Sequence, residues 1–164
     1  MNEVREWKHC IEQGATAYRD GKYELAQSML LEALSEHCTQ EDFKPAIAIV
    51  LENLALVLIR QKRYARAERM LRRALALTGN LQDTCRLQYK LAELYLFQGR
   101  FSIAEHAAKT ANMIGECDHD RNLQVEIEQQ LRLSELWNRW GQSDLALATY
   151  NEVRRLRQLS FEAH

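Results

Sequence analysis

Four stretches of this 164-residue chain fall into one register, and an alanine recurs at the same place in each. The register is anchored on Gly14, Ala55, Ala92 and Ser134, at offsets of 41, 37 and 42 residues. Carried forward, it places Gly21, Lys62, Gly99 and Gly141 at one column and Tyr23, Tyr64, Phe101 and Ser143 two residues later. Three further on come Ala26, Ala67, Ala104 and Ala146. Leu30, Leu71, Ala108 and Tyr150 follow, then Ala33, Ala74, Ala111 and Val153. A period of this length marks a chain built from one supersecondary unit used repeatedly, each copy burying its apolar face on the next.

Each unit reads as a helix hairpin. In LENLALVLIRQKRYARAERMLRRALAL, residues 51–77, Leu51, Leu54, Ala55 and Leu58 form one apolar stripe. Gln61, Lys62 and Arg63 break it, and Tyr64, Ala67, Leu71, Ala74 and Leu75 form a second stripe at helical spacing. Small residues such as Ala55 and Ala67 let two helix backbones approach. The turn glycine supplies the positive φ that ends the first helix, and Lys62 departs from that rule. The aromatic after the turn starts the second helix and wedges between the two. The pattern predicts first helices near 3–20, 43–61, 81–98 and 121–140. Second helices are expected near 23–37, 64–78, 101–115 and 143–159. Thr39 and Asp83 are candidate helix starters, and Pro45 suits a first turn. One proline and abundant Leu, Ala, Arg, Glu and Gln agree with an all-α chain.

The Gly/Ala, Tyr/Phe and Ala/Ala columns, above all GATAYRDGKYELAQSMLLEAL and LAELYLFQGRFSIAEHA, resemble a tetratricopeptide repeat protein. The long offsets look like the extended repeats of kinesin light chains and their bacterial relatives, with LENLALVLIRQKRYARAERMLRRAL nearest to that subtype. The resemblance covers nearly the whole chain. It implies one all-α domain over 1–164, an α-solenoid with a right-handed superhelix. Its four hairpins would fall near 3–37, 43–78, 81–115 and 121–159, with the first helices lining a concave face. Ser143 and Val153 depart from the columns and suggest a modified, capping fourth unit.

The same resemblance implies a protein or peptide ligand on the concave face. Asn53 falls where extended repeats carry an asparagine that bonds a peptide main chain, and it can act as donor and acceptor. Glu52 and Asn53 are the polar residues of AIAIVLENLALVLI, and the matching positions for Asn53 are Glu12, Lys90 and Arg132. The alternative is that Asn53 bonds a neighbouring helix. Arg86 and Lys90 lie four apart and share a helix face, suited to an acidic group. They resemble part of a carboxylate clamp, but the lysine and asparagine that the clamp needs on the first helix are Ile11 and Ala15 here. A solvated basic face is the competing reading. The helix over 43–61 is apolar nearly all round, which means burial on every side or an open apolar floor at Ile49 and Leu56. Tyr89, Glu93, Glu135, Asn138 and Arg139 would border the same channel.

Residues 60–73 hold seven arginines or lysines and one acid, Glu68. The spacing reads as a solvated convex face. Nucleic acid is disfavoured as a partner because no aromatics interleave to stack bases and the formal net charge is −1. Cys10 falls on a packing stripe, while Glu116, Cys117, Asp118 and His119 form a loop short of a zinc-ligand pattern. No cofactor, metal site or catalytic constellation is expected, and no enzyme activity. No apolar run reaches membrane-spanning length, MNEVREWKHC lacks the apolar core of a secretion signal, and the unpaired cysteine spacing suits reduced thiols in the cytoplasm. A second reading is a self-assembling scaffold that pairs as a homo-oligomer through the fourth hairpin, with Trp140 and Leu147 as contacts.

Overall fold

The computed structural model describes residues 2–37 and 44–162, all-α throughout that part of the chain. Eight helices lie among the described residues: α1 (Asn2–Arg19), α2 (Tyr23–His37), α3 (Lys44–Arg60), α4 (Tyr64–Leu77), α5 (Leu81–Phe97), α6 (Phe101–Cys117), α7 (Leu123–Arg139) and α8 (Ser143–Glu162). They form two compact units, Met1–Gly79 and Asn80–His164. In the first unit the hairpins α1–α2 and α3–α4 meet where α2 packs on α3, and α1 also touches α3. In the second unit the hairpins are α5–α6 and α7–α8, with α5 against α7.

The second helices begin at Tyr23, Tyr64, Phe101 and Ser143, as the register requires. Two helices run longer than their sequence pattern: α6 continues to Cys117 and α8 to Glu162. Glu116 and Cys117 are therefore the last turn of a helix, not loop residues. Asp83 does not start α5. Asn80 is the N-cap, accepting from the Asp83 N–H at 2.7 Å, and Asp83 sits inside the first turn. Pro45 does lie in the first turn of α3, and Thr39 lies outside the described residues.

All four hairpin turns close in the same way. The N–H of the left-handed residue bonds three residues back, and the next N–H bonds five residues back. In the third hairpin these are Gly99 to Leu96 at 3.0 Å and Arg100 to Tyr95 at 2.8 Å. That pair of bonds satisfies the last carbonyls of the first helix. Gly21, Gly99 and Gly141 take φ of 74°, 69° and 69°, and Lys62 takes 59°. The lysine thus adopts the glycine conformation without being glycine.

The alanine columns are the tightest part of the core. Ala26, Ala67 and Ala104 are fully buried and Ala146 nearly so, as are Ala55 and Ala92 on the facing helices. A methyl at these points lets helix axes approach while Leu30, Leu58, Leu71 and Leu94 fill the space beside them. Trp137 is buried and packs on the Phe101 ring at 5.9 Å, and Trp140 meets the same ring edge-on at 5.5 Å. The aromatic after the third turn thus packs on the tryptophans of the next hairpin, whereas its position suggested a wedge between the two helices of its own.

Candidate partner-binding faces

In the first unit, α3 turns Ile49, Asn53 and Leu56 toward one side, at the i, i+4, i+7 spacing of a single helix face. Ile49 is 51% exposed, so α3 is not buried on every side despite its composition. Asn53 and Leu56 join Gly14, Ala15, Tyr18, Arg19 and Leu30 around a hollow of about 160 Å³. The absent side chain of Gly14 shapes its floor: a Cβ there would lie 3.0 Å from Leu30. Tyr18 forms the rim, its hydroxyl accepting from Arg60 Nε at 3.2 Å. Arg19 donates to Thr16 within its own helix at 3.2 Å. Ala15, which removes the clamp asparagine, is what leaves this hollow apolar. Glu52 is half-buried on α3 and stands outside the hollow's lining.

The second unit presents a different, charged face. Arg132, Glu135, Asn138 and Arg139 are exposed along α7. Arg86 is half-buried and paired with Asp83 at 2.7 Å, so its guanidinium already has an acid. Lys90 is buried, at 9% exposure, which leaves little of it for a ligand. Glu93 lies beside Lys90 and Arg132. Burial holds its carboxyl above the usual glutamate range, with the two cations opposing the shift. Its Oε1 has no hydrogen-bond partner.

Tyr89 needs correcting. It was expected to border the channel, yet it is 1% exposed. Its hydroxyl donates to Asn112 Oδ1 at 2.6 Å and accepts from Gln130 Nε2 at 3.1 Å, while Gln130 also donates to Asn112. These three side chains tie α5, α6 and α7 together. A tyrosine in an apolar stripe reads as a surface aromatic or a core one with equal ease. The deciding signal was its partners, Asn112 and Gln130, polar residues at positions that hold Leu34 and Leu51 in the first unit.

Nearby, Glu126 is buried and held by Arg121 through two bonds of 3.0 and 2.6 Å. It reaches over Gly115, where a Cβ would stand 2.8 Å from its Oε2. Cys85 is buried, and its thiol donates to the Ala111 carbonyl at 3.3 Å. Burial pushes that thiol up to about 12. Cys10, expected in the core, is only half-buried, and Cys117 is exposed. No group of three metal-ligating side chains occurs among the described residues. No described helix is long and apolar enough to cross a membrane.

Antiparallel helix hairpins, capped alike and spaced by small-residue columns, define an all-α helical-repeat protein. The tetratricopeptide repeat model matches residues 9–80 and 46–111, more than half the chain, and the protein belongs to the tetratricopeptide repeat family. Such repeats characteristically mediate protein–protein interaction and are typically non-catalytic. No curated protein matches the sequence. Among solved structures the chain is similar to BtubC (BKLC) from P. vanneervenii, with a TM-score of 0.79 at 17% identity, covering 96% of this chain and 65% of that one. It is also similar to MamA, with a TM-score of 0.66 at 17% identity, covering 95% of this chain and 81% of that one. At that identity the likeness is one of fold. It agrees with the long-period repeats seen in the sequence.

Proposed function

We propose that the chain is an interaction module that holds a peptide or helix of a partner protein on the faces of its first helices. The observation that carries this reading is the apolar hollow of the first unit, with Asn53 at its edge and Ile49 exposed one turn away. A side chain entering the hollow would bury against Leu30, Leu56 and the Tyr18 ring, while the Asn53 amide offers a donor and an acceptor to the passing main chain. The exposed charges of α7, Arg132, Glu135 and Arg139, give the second unit a polar face of its own. The burial of Tyr89 and Lys90 moves the weight of the reading to the first unit.

The test uses peptides selected from a random display library on the wild-type protein. Fluorescence anisotropy of the best binder should show at least about tenfold weaker affinity for Leu56→Arg, and a smaller loss for Asn53→Ala. Equal affinity for wild type and Leu56→Arg would move the binding site off this hollow.

Self-assembly is the second reading, favoured by Leu147 at 61%, Tyr150 at 44% and Phe161 at 88% exposure along α8, with Trp140 at 46% beside it. Sedimentation at two concentrations separates the readings: a dimer abolished by Leu147→Glu supports pairing through α8, and a concentration-independent monomer rejects it.

A further inference from the structure

Within each unit, the second helix of the leading hairpin is covered on one face by the hairpin that follows it. On α2 that face holds Gln27, whose Oε1 accepts from Arg63 at 3.5 Å, and Leu30, which lies beside Asn53 and Leu56 of α3. On α6 it includes Asn112, bonded to Gln130 of α7. The repeat register carries Gln27, Leu30 and Asn112 onto Leu147, Tyr150 and Arg154 of α8. There the three side chains lie open, whereas Leu30 is buried. Arg157 and Phe161 are exposed too and extend the stripe, at i, i+3, i+7, i+10 and i+14. It runs about 21 Å along one side of the helix.

We infer that this face of α8 docks an amphipathic helix of another protein, one with a stripe of aliphatic residues and acids beside it. Such a helix would take the place that α3 holds on α2 and α7 holds on α6, so the repeat already builds the seat for it. Leu147, Tyr150 and Phe161 supply apolar contact, and Arg154 and Arg157 supply charge. Neither arginine has an ion pair or side-chain hydrogen bond among the described residues, while Arg155 between them is held by Glu152 and Glu116. The acids of α8 are placed elsewhere. Glu152 is taken by Arg155, Glu162 accepts from Gln158, and Asp144 precedes the stripe by a turn. Each open guanidinium offers a carboxylate the planar fork that fits it through two bonds.

The arginines favour this occupant over a second copy of the chain, which the self-assembly reading would seat on the same face. Two α8 helices pairing about a two-fold axis would bring Arg154 and Arg157 toward their own counterparts, with no acid in the stripe to separate them. Stacking α8 on α1 of another copy fits no better. Where α3 buries Ile47, Val50 and Leu54, α1 exposes Glu6, His9 and Gln13, a polar face ill-suited to Leu147 and Tyr150.

The probe is a synthetic helical peptide with leucines at i, i+3 and i+7 and glutamates flanking them. Two controls carry glutamine for glutamate or alanine for leucine. Fluorescence anisotropy should show binding of the first peptide, with at least about tenfold weaker affinity for either control. Arg154→Glu/Arg157→Glu and Leu147→Ser/Tyr150→Ser should each lose at least about tenfold with helical circular dichroism unchanged, since the altered side chains are exposed. Leu56→Arg should bind the peptide as wild type does, which separates this surface from the hollow. Sedimentation of the chain alone should show a monomer. A dimer that Leu147→Glu abolishes would overturn the proposal and give the face to a second copy. Equal binding of the three peptides, no binding of any, full binding by either double variant, or loss of binding by Leu56→Arg would overturn it as well.

Discussion

Lys62 is the residue where local strain is plainest. It holds a φ of 59° in a turn whose three counterparts are glycine. A side chain in that region costs about 1–2 kcal/mol. Glycine there would give back about 0.5–1 kcal/mol through the freedom of the unfolded chain. Lys62→Gly is therefore expected to stabilise the protein by about 0.5–1 kcal/mol, read as a higher urea midpoint at unchanged slope. Two titrating groups give further tests at this scale. The Cys85 thiol, pushed up to about 12 by burial, should resist alkylation in the native protein at about pH 8, while exposed Cys117 reacts at once. Mass mapping of the labelled peptides reads this directly. Glu93 has a folded-state value raised above its unfolded one, so the folded state binds the extra proton. Its contribution favours folding at low pH and is lost as pH rises from about 4.3 through the raised value. Glu93→Gln should flatten that part of a plot of urea midpoint against pH.

At the scale of the element, the junction where α6 of one hairpin leads into α7 of the next depends on a missing side chain. Gly115 lies in the last turn of α6, under the carboxylate that Arg121 fixes in place. Gly115→Ala gains helix propensity but drives a methyl into Glu126, which is 5% exposed and cannot swing away without leaving its arginine. A net loss of about 1–2 kcal/mol is expected. A rise in the urea midpoint would mean that the carboxylate relaxes freely. Gly115 had no sequence signal, since it stands outside the repeat columns. The elements themselves were legible because their signals are periodic: the alanines at 26, 67, 104 and 146 and the aromatics at 23, 64 and 101 mark each second helix from within the chain. The hollow was legible in part. Asn53 and Leu56 announced themselves on an apolar helix, but Gly14, Tyr18 and Leu30 belong to another hairpin, and only tertiary packing brings them there. Tyr89 and Lys90 were misplaced because register gives a residue's direction along a helix and says little about how deeply a neighbour covers it.

For the molecule as a whole, four hairpins with nearly the same apolar faces carry a risk that the wrong two pair. In the first unit the register positions of Tyr89, Asn112 and Gln130 hold Ile11, Leu34 and Leu51, side chains that would accept almost any apolar neighbour. The second unit replaces them with a hydroxyl and two amides that satisfy one another only when α5, α6 and α7 come together. Any other pairing would bury those groups unbonded, at about 1–3 kcal/mol each. Tyr89→Ile/Asn112→Leu/Gln130→Leu should therefore keep its helicity and lose little equilibrium stability, yet refold in several phases and with a lower monomer yield than wild type. Single-phase refolding at wild-type yield would show that the cluster has no part in partner choice. The hydrogen bonds around Tyr89 thus act as an address label: among look-alike neighbours, they tell the third hairpin which of its siblings comes next.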